Sequence, residues 1–381
     1  MIFLPLIALL FFLTGLLSLA LLGVGGFLVI SWFLGSLTGL APLLIGAGML
    51  LFGIAGRPLV LMLLRRPGKD EPKEAREGSA QRIKRPDGSE LHVEVYGPAD
   101  AQPLILTHGW GVNSTEWYYV KRALSNRFRL IMWDLPGLGK SGKPDDNNFK
   151  LEKLASDLEA VLGVAGGKPA ILMGHSIGSM MTLTFCRLFP QHLGTRVSAL
   201  VLAHTTYTNP VKTASLRGLL KAIQKPVLEP LMHLMVWLSP LFWLMNWMSY
   251  FNGTAHLISA ITGFAGKETR GQLDYGTRMT VQASPAVLAR GILAMFDFEE
   301  KATLDKINVP VLIVAGDLDR LTNPDAAAFM SQAMPAAQLT VLGPCGHMSM
   351  FEQNVGFVEA LSAFSNLHGA SNARAREAAA R

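Results

Sequence analysis

Residues 170–178 read Ala-Ile-Leu-Met-Gly-His-Ser-Ile-Gly, and this stretch decides the fold. A short apolar run ends at Met173, a G-x-S-x-G pattern follows at 174–178, and an amphipathic segment of helical length begins at once. A serine on such a sharp strand-to-helix turn exposes its Oγ above a sheet, and the flanking glycines allow the tight backbone. The G-x-S-x-G pattern alone is weak evidence for a catalytic serine, but its position between a strand and a helix is strong evidence. Ser176 is therefore the candidate nucleophile, and an incidental serine in a glycine-rich turn is the alternative.

A serine nucleophile needs a base that takes its proton and a carboxylate that orients the base. On a doubly wound sheet with this turn, the partners follow in the order acid, then histidine. The buried-strand pattern at 309–315 delivers Asp317 and Asp319 to its carboxyl end, where functional residues usually lie. Asp319 is the preferred acid, and Asp317 is expected to brace the histidine loop. His347 follows the last apolar run and is the predicted base, whereas His368 is expected to be solvated.

Acyl transfer also needs hydrogen-bond donors aimed at the developing oxyanion. The backbone N–H of Ile177 is one candidate, because it follows the nucleophile at a helix N-terminus. The second candidate is the N–H of Trp110, in the loop His-Gly-Trp-Gly at 108–111. His108 is expected to hold this loop, and His175 is expected to be a packing or loop residue rather than a second base.

Short apolar runs alternate with amphipathic segments, which indicates a mostly parallel, doubly wound sheet covered on both faces. Residues 80–96 are the exception and read as an antiparallel hairpin with a turn at 85–88. The connection at 205–300 is far too long for a loop and predicts an inserted helical cap. The predicted strands are 80–84, 90–96, 103–107, 127–133, 170–173, 199–202, 310–315 and 338–342.

The first 56 residues contain none of the 34 Lys and Arg or 28 Asp and Glu residues of the chain. A bilayer crossing takes about 20 apolar residues, so residues 1–66 predict a transmembrane hairpin with spans at about 4–31 and 43–64. A secretory signal peptide is the alternative. It requires a basic segment before its apolar core, and the first basic residue here is Arg57. The hairpin is the preferred interpretation.

Basic residues follow the second predicted span directly: Arg65, Arg66, Lys69, Lys73 and Arg76. By the positive-inside rule they keep this end in the cytoplasm. The chain is therefore predicted to be an integral membrane protein whose catalytic domain faces the cytoplasm. Residues 67–79 are expected to form a solvated charged tether, residues 80–204 and 301–367 the core, and residues 368–381 a flexible, basic, Ala-rich tail.

Composition excludes several classes of protein. Half of the residues are apolar, which excludes a disordered chain, and the only two cysteines exclude a disulfide scaffold. The net charge of +6 comes from basic residues interleaved with acids, so no nucleic-acid partner is expected. No metal or cofactor is implied, because no Cys-x-x-Cys pair or histidine cluster has ligand spacing and the 134–140 turn lacks the P-loop spacing.

Several motifs, taken in order, resemble those of the α/β-hydrolase fold family over about residues 80–367. The resemblance implies an α/β-hydrolase fold, a Ser-His-Asp triad with Asp319 as its acid, and a structural turn at Asp134. A serine at position 176 departs from the haloalkane dehalogenase and epoxide hydrolase branches, which use aspartate there. With its apolar N-terminus and insert, the chain looks most like membrane-bound monoacylglycerol lipases and esterases. The matching motifs are His108-Gly109-Trp110-Gly111, Asp134-Leu135-Pro136-Gly137-Leu138-Gly139-Lys140-Ser141, the turn at Ser176, Gly316-Asp317-Leu318-Asp319, and Gly346-His347 with Glu352-Gln353.

Residues 230–251 in the insert contain no Asp, Glu, Lys or Arg but three tryptophans, Trp237, Trp243 and Trp247. A membrane crossing here would separate Asp319 from Ser176, so a working triad excludes it. The segment is instead expected to be cap core, the lining of an acyl pocket, or a surface that lies in the membrane interface, with a mixed role preferred.

The sequence therefore predicts a membrane-anchored serine hydrolase that cleaves carboxylic esters of lipid-like substrates through an acyl-enzyme. A thioesterase, an acyltransferase, an iminopeptidase-like peptidase or a perhydrolase could use the same triad. A catalytically silent membrane interaction module is a more remote alternative. Acyl-chain length, head group and oligomeric state stay open.

Overall fold

The computed structural model describes residues 4–213 and 217–379. Its centre is an eight-stranded sheet with the order β1-β2-β4-β3-β5-β6-β7-β8. The pairs β1–β2 and β2–β4 are antiparallel, and all other neighbours are parallel. The strands are β1 Ser79–Lys84, β2 Glu90–Tyr96, β3 Gln102–Thr107, β4 Phe128–Trp133, β5 Ala170–His175, β6 Val197–Ala203, β7 Val311–Gly316 and β8 Ala337–Leu342.

All eight predicted strands are present, with boundaries that differ from the expected ones by at most two residues. The central strands are buried along their whole length and mostly apolar, because helices cover both faces of the sheet. Helices α5 and α6 pack on one face, and α4 and α16 pack on the other. The helices of the body are α4 Tyr118–Leu124, α5 Leu151–Leu162, α6 Ile177–Leu188, α14 Pro324–Ala333, α15 Ser349–Glu352 and α16 Asn354–Ala379.

The long connection between β6 and β7 forms the helical cap. Its helices are α7 Pro210–Thr213, α8 Arg217–Ile223, α9 Glu229–Trp237, α10 Ser239–Asn252, α11 Thr254–Thr262, α12 Arg270–Gln282 and α13 Pro285–Phe296, with a short π-helical turn at Gln224–Leu228. Helices α9 and α10 meet at an angle of 93°. Met235 and Phe242 are buried, whereas Trp237 is 78% exposed and Trp243 46% exposed. The uncharged segment therefore both packs the cap and presents an apolar outer surface.

The apolar N-terminus forms α1 Leu4–Phe33, α2 Ala41–Ala55 and α3 Arg57–Leu64. Among the described residues, Leu9–Phe33 is the one unbent helix that is long and apolar enough to cross a membrane. The second predicted span is not continuous, because α2 and α3 meet at 73°. The break falls at Gly56, two residues before Pro58, whose ring excludes the carbonyl of a preceding helical turn.

Residues 67–79 differ from the solvated tether that was expected. Arg76 is only 6% exposed and contacts Glu94 at 3.2 Å and Asp134 at 3.1 Å. The main-chain carbonyl of Asp70 accepts a hydrogen bond from Tyr119 Oη at 2.6 Å. A buried carboxylate such as Asp134 needs a charged partner, and the segment supplies one. Residues 67–79 are therefore held against the sheet and its helices by these contacts.

The C-terminal residues are helical, since α16 continues as a helix to Ala379. Alanine, arginine and glutamate are strong helix formers, so nothing in this composition ends the helix. His368 was expected to be solvated, but it is partly buried, with its ring 4.6 Å from that of Phe364.

Candidate active site

The turn at Ser176 has the strained geometry that exposes a nucleophile. Ser176 joins β5 to α6 with φ 54° and ψ −117°, a region that non-glycine residues rarely adopt. A Cβ on Gly174 would lie 2.4 Å from the carbonyl carbon of Gly178, and a Cβ on Gly178 would lie 2.6 Å from the Thr107 oxygen. Both positions therefore require glycine. The rigid neighbours hold the serine in its strained conformation.

Asp319 and His347 form a buried pair. His347 Nδ1 lies 2.8 Å from Asp319 Oδ2, and both residues are nearly inaccessible. Burial acts to raise the pKa of Asp319, but the charge of His347 and the hydrogen bonds from His204 and His347 outweigh it and hold the pKa well below its ordinary value. An ionised carboxylate only accepts hydrogen bonds, so Nδ1 of His347 carries the proton. In the neutral ring, Nε2 is then left as a proton acceptor.

Ser176 and His347 line one cleft. The cleft holds about 760 Å³ of empty space, open mouth included, and its surface is mainly apolar. Ser176 follows β5, Asp319 follows β7 and His347 follows β8, so the three residues meet at one edge of the sheet. The structure thus brings together the side chains that the chain order suggested. Other residues that line the cleft include Gly109, Trp110, His175, Phe264 and Met348.

The two candidate oxyanion donors belong to different elements, the start of α6 and the loop after β3. Ile177 opens α6, where a first-turn amide has no acceptor within its own helix. The loop after β3 carries the other candidate, Trp110, and in this loop the amide of Gly109 donates to Glu116 Oε1 at 3.1 Å. Trp110 is the next residue, and its indole Nε1 donates to the Leu288 carbonyl at 3.0 Å, which fixes the loop against α13.

Residues 104–360 match the alpha/beta hydrolase family, which is more than half of the chain. The chain belongs to the α/β-hydrolase family. The pimeloyl-[acyl-carrier protein] methyl ester esterase of Nitrosomonas europaea is 26% identical over 282 residues, which cover 71% of this chain and 99% of that protein. The corresponding esterase of Sodalis glossinidius is 27% identical over 288 residues, with 73% and 98% covered.

Among solved structures, a thermophilic esterase from Thermogutta terrifontis superposes with a TM-score of 0.59 at 21% identity, covering 76% of this chain and 99% of that one. This likeness shows the fold. Taken with the family match and the related esterases, the chain is an esterase-type α/β-hydrolase that acts on carboxylic esters.

In this α/β-hydrolase, residues with predicted structural roles lie where expected. His108 Nε2 accepts a hydrogen bond from the Leu135 amide at 2.9 Å, which ties the loop after β3 to the Asp134 turn. Asp134 accepts from the Ser114 amide at 2.8 Å. Asp317 Oδ1 accepts from the Cys345 amide at 2.8 Å, so the prediction that Asp317 braces the histidine loop is confirmed.

Glu116 was not singled out in the sequence, yet it lies fully buried beside the site. Its Oε2 contacts His175 Nδ1 at 3.1 Å, and His175 Nε2 contacts the carbonyl of His347 at 3.1 Å. A carbonyl oxygen only accepts, so Nε2 of His175 is the donor in the second contact. Glu116 also binds the Gly109 amide. The pair thus joins the oxyanion loop to the histidine loop.

His204 was also missed. It directly follows β6, with φ 48°, and its Nδ1 lies 3.0 Å from Asp319 Oδ2, while its Nε2 lies 2.6 Å from Ser349 Oγ. Burial is the main reason that the pKa of His204 falls to about 4, although Asp319 acts to raise it. The neutral ring donates from Nδ1 and accepts from Ser349. Its place at the carboxyl end of a central strand was the available signal.

His204, Asp319 and His347 are also the one group of described side chains with the composition of a metal site, since their ligand atoms lie within 4.8 Å of one another. Both histidines direct Nδ1 at the same Asp319 oxygen, at 3.0 and 2.8 Å. Two N–H donors that share a carboxylate account for this geometry. A cation here would have to displace both protons.

Lowering the pH from about 6.5 to about 4 is expected to lower the melting temperature of the protein. The pKa of His204 is about 4 in the folded protein against 6.5 for an ordinary histidine, so the unfolded chain binds more protons in this window. Asp319 is ionised in the folded protein throughout this window, because its pKa there lies well below 3.8. The unfolded chain starts to bind a proton at Asp319 only near pH 4, and this acts in the same direction as His204. Thermal unfolding in detergent micelles, followed across this pH range, measures the effect.

His204→Asn is the matched variant for this pH experiment. Asparagine tolerates a positive φ and places an N–H donor near the position of Nδ1, but it does not titrate. The dependence of the melting temperature on pH should therefore become shallower in His204→Asn. An unchanged slope would mean that other groups, such as buried His108, whose pKa burial also lowers, produce the whole effect.

Proposed function

We propose that this α/β-hydrolase is a membrane-anchored serine esterase that cleaves carboxylic esters with lipid-like acyl chains, using Ser176, His347 and Asp319. One observation carries the proposal. The cleft that contains Ser176 and His347 is completed by Ile7 and Phe11 of α1, the helix that is apolar enough to cross a membrane. A substrate site whose wall belongs to a membrane-type helix suits an ester that arrives from a lipid phase.

The first half of the reaction acylates the enzyme. Nε2 of His347 takes the proton of Ser176 Oγ as the oxygen attacks the ester carbonyl. Ionised Asp319 holds Nδ1–H and stabilises the imidazolium that forms. The amides of Ile177 and Trp110 receive the oxyanion of the tetrahedral intermediate, and each such donor contributes about 3 kcal/mol. His347 then returns the proton to the departing alcohol.

The second half releases the acid. Water enters the cleft, gives a proton to His347 and attacks the acyl-enzyme carbonyl. The same two amides bind the second oxyanion, and the proton returns to Ser176 as the carboxylic acid leaves. The net reaction is the hydrolysis of one ester to an alcohol and an acid, and it draws on side chains and backbone amides alone.

The surface supports a membrane location. On α1, Phe27 is 65% exposed, Ile30 60% and Phe33 73%, and on the cap Trp237 is 78% exposed. Exposed apolar side chains of this extent stabilise a membrane-inserted or interfacial state, and tryptophan favours the interface. The basic residues that follow α3 support a catalytic domain on the cytoplasmic side.

The acyl specificity test uses the full chain in detergent micelles with p-nitrophenyl esters from acetate to palmitate. We expect kcat/KM to rise with chain length up to medium or long chains, because each buried methylene contributes about 0.8 kcal/mol. Ser176→Ala measures the background. Wild-type activity restricted to the shortest esters would contradict the lipid assignment while leaving the serine mechanism intact.

Competing substrates separate the rival activities of the same triad. Palmitoyl thioesters, aminoacyl amides and the methyl ester of a dicarboxylic acid, the bond type named for the two related esterases, are compared with a monoacylglycerol. The proposal expects the monoacylglycerol to have the highest kcat/KM. A clear preference for the methyl ester or the thioester would replace the proposed substrate class.

A further inference from the structure

The N-terminal helix enters the substrate cleft. Ile7 and Phe11, in the first turns of α1, line the same cleft as Ser176 and His347. Phe11 is only 9% exposed, so it is part of the interior. If α1 served only to hold the protein in a membrane, no residue of it would need to reach the nucleophile. The anchor and the site therefore share residues.

A second apolar compartment adjoins this cleft. It lies between α1, α9, α10 and α13, and four residues line both spaces: Ile7, Phe11, Trp110 and Thr280. These shared residues stand at the junction. An acyl chain whose carbonyl lies at Ser176 can continue past them into the second compartment. The remaining residues that line this compartment are Gly111, Met235, Phe242, Asn246, Leu288 and Ile292.

The position of α1 on the cap is fixed by polar contacts. Ser18 is 1% exposed, and its Oγ accepts a hydrogen bond from Asn252 Nδ2 at 2.7 Å and lies 3.3 Å from Ser249 Oγ. Breaking these bonds would leave buried polar groups without partners, at about 1–3 kcal/mol for each group. The hydrogen bonds therefore resist sliding of α1 along α10.

Close packing of α1 against α10 fixes the same alignment of the two helices. A Cβ on Gly15 would lie 2.7 Å from the Cβ of Met245, so only glycine fits there without displacing α10. One turn earlier, the rings of Phe12 and Phe242 stack at 5.2 Å. Since each helical residue turns by about 100°, a shift of one residue would carry Phe11 out of the cleft. The register places Phe11 there.

We propose that the first turns of α1 form part of the acyl-binding site and that Phe11 and Ile7 determine how long an acyl chain the enzyme accepts. The occupant is the apolar acyl chain of the substrate, because the two adjoining compartments have mainly apolar surfaces and share Ile7, Phe11 and Trp110. This inference rests on the proposed function, since it assigns the chain of the ester that Ser176 cleaves.

Two substitutions should shift chain-length preference in opposite directions. Phe11→Ala widens the junction, and kcat/KM should rise by about fourfold for each additional methylene that becomes buried, which is about 0.8 kcal/mol converted at 25 °C. Ile7→Phe narrows the junction and should lower kcat/KM for long chains. The measured quantity in each variant is the ratio of kcat/KM for the palmitate ester to kcat/KM for the acetate ester. Phe27→Ala is the control, because Phe27 lies on the same helix but is 65% exposed.

The closing experiment adds a measurement that needs no turnover. A fatty acid with a diazirine near its methyl end is photolysed with full-length Ser176→Ala in micelles, and the labelled peptides are identified by mass spectrometry. Labels are expected on the segment around Ile7 and Phe11 and on α10 or α13, and palmitate should compete. Labelling confined to other surfaces, or identical chain-length profiles for wild type, Phe11→Ala and Ile7→Phe, would overturn the inference.

The outcomes separate the two proposals. Ser176-dependent hydrolysis with no effect of either α1 substitution overturns the role of α1 and leaves the esterase function intact. Competed labels on α1 in a protein whose wild type hydrolyses no ester show a fatty-acid site but overturn the function. Phe11→Leu tests whether lost packing, rather than a wider junction, explains the effect of Phe11→Ala. It keeps an apolar contact with Ile258 and Val281, so its chain-length preference should shift less than that of Phe11→Ala.

Discussion

Ser176→Ala is expected to lower kcat for ester hydrolysis by about 10⁶-fold, a loss of the size that follows removal of the nucleophile from a serine hydrolase. The variant leaves the cleft, the oxyanion amides and the Asp319–His347 pair in place but has no atom that can form the acyl-enzyme. Alanine keeps the Cβ and the same φ of 54°, so the turn bears no added backbone strain. Steady-state kinetics and labelling by a fluorophosphonate probe both report the loss.

Ser259→Ala is the matched control for that measurement. Ser259 lines the same cleft, but it lies inside α11 and not on a strand-to-helix turn. Its removal should leave fluorophosphonate labelling in place, because an unactivated hydroxyl does not react. Labelling that persists in Ser176→Ala and disappears in Ser259→Ala would move the nucleophile to the cap.

The sheet and the chain order of the site were predictable because both follow from local patterns. Each buried strand is a short apolar run, and parallel strands present their carboxyl ends at one edge. Ser176, Asp319 and His347 each follow such a run, so their meeting could be anticipated without knowing any distance. The glycines at 174 and 178 marked the tight turn for the same local reason.

Contacts between distant segments were not predictable in this way. The sequence around Arg76 is polar and rich in helix breakers, which is typical of a linker, and nothing in it shows that Asp134 requires a cation. Ile7 and Phe11 lie in a uniformly apolar segment, so composition alone does not show that one of its faces contacts the cap. Glu116 depends on a contact with His175 across the fold.

Asp319→Asn is expected to lower kcat by about 10⁴-fold, the size of the loss that accompanies a wrong histidine tautomer in a serine triad. The structure explains why asparagine fits poorly in either orientation. Oδ1 of Asp319 accepts from the amides of Leu321 and Thr322 at 2.8 and 3.0 Å, so an NH₂ group there faces two donors. Oδ2 accepts from His204 and His347, so an NH₂ group there faces those donors instead.

The asparagine variant is expected to lose activity because its NH₂ group changes the tautomer of His347. If the NH₂ group occupies the Oδ2 position, His347 accepts at Nδ1 and moves its proton to Nε2, where the ring no longer takes a proton from Ser176. Asp317→Asn provides the comparison. Oδ1 of Asp317 binds only the Cys345 amide among the described hydrogen bonds, and an amide oxygen preserves that acceptor, so kcat should fall by less than about tenfold. Kinetics with both variants therefore show which aspartate is the acid of the triad. A larger loss of kcat in Asp317→Asn than in Asp319→Asn would assign that role to Asp317.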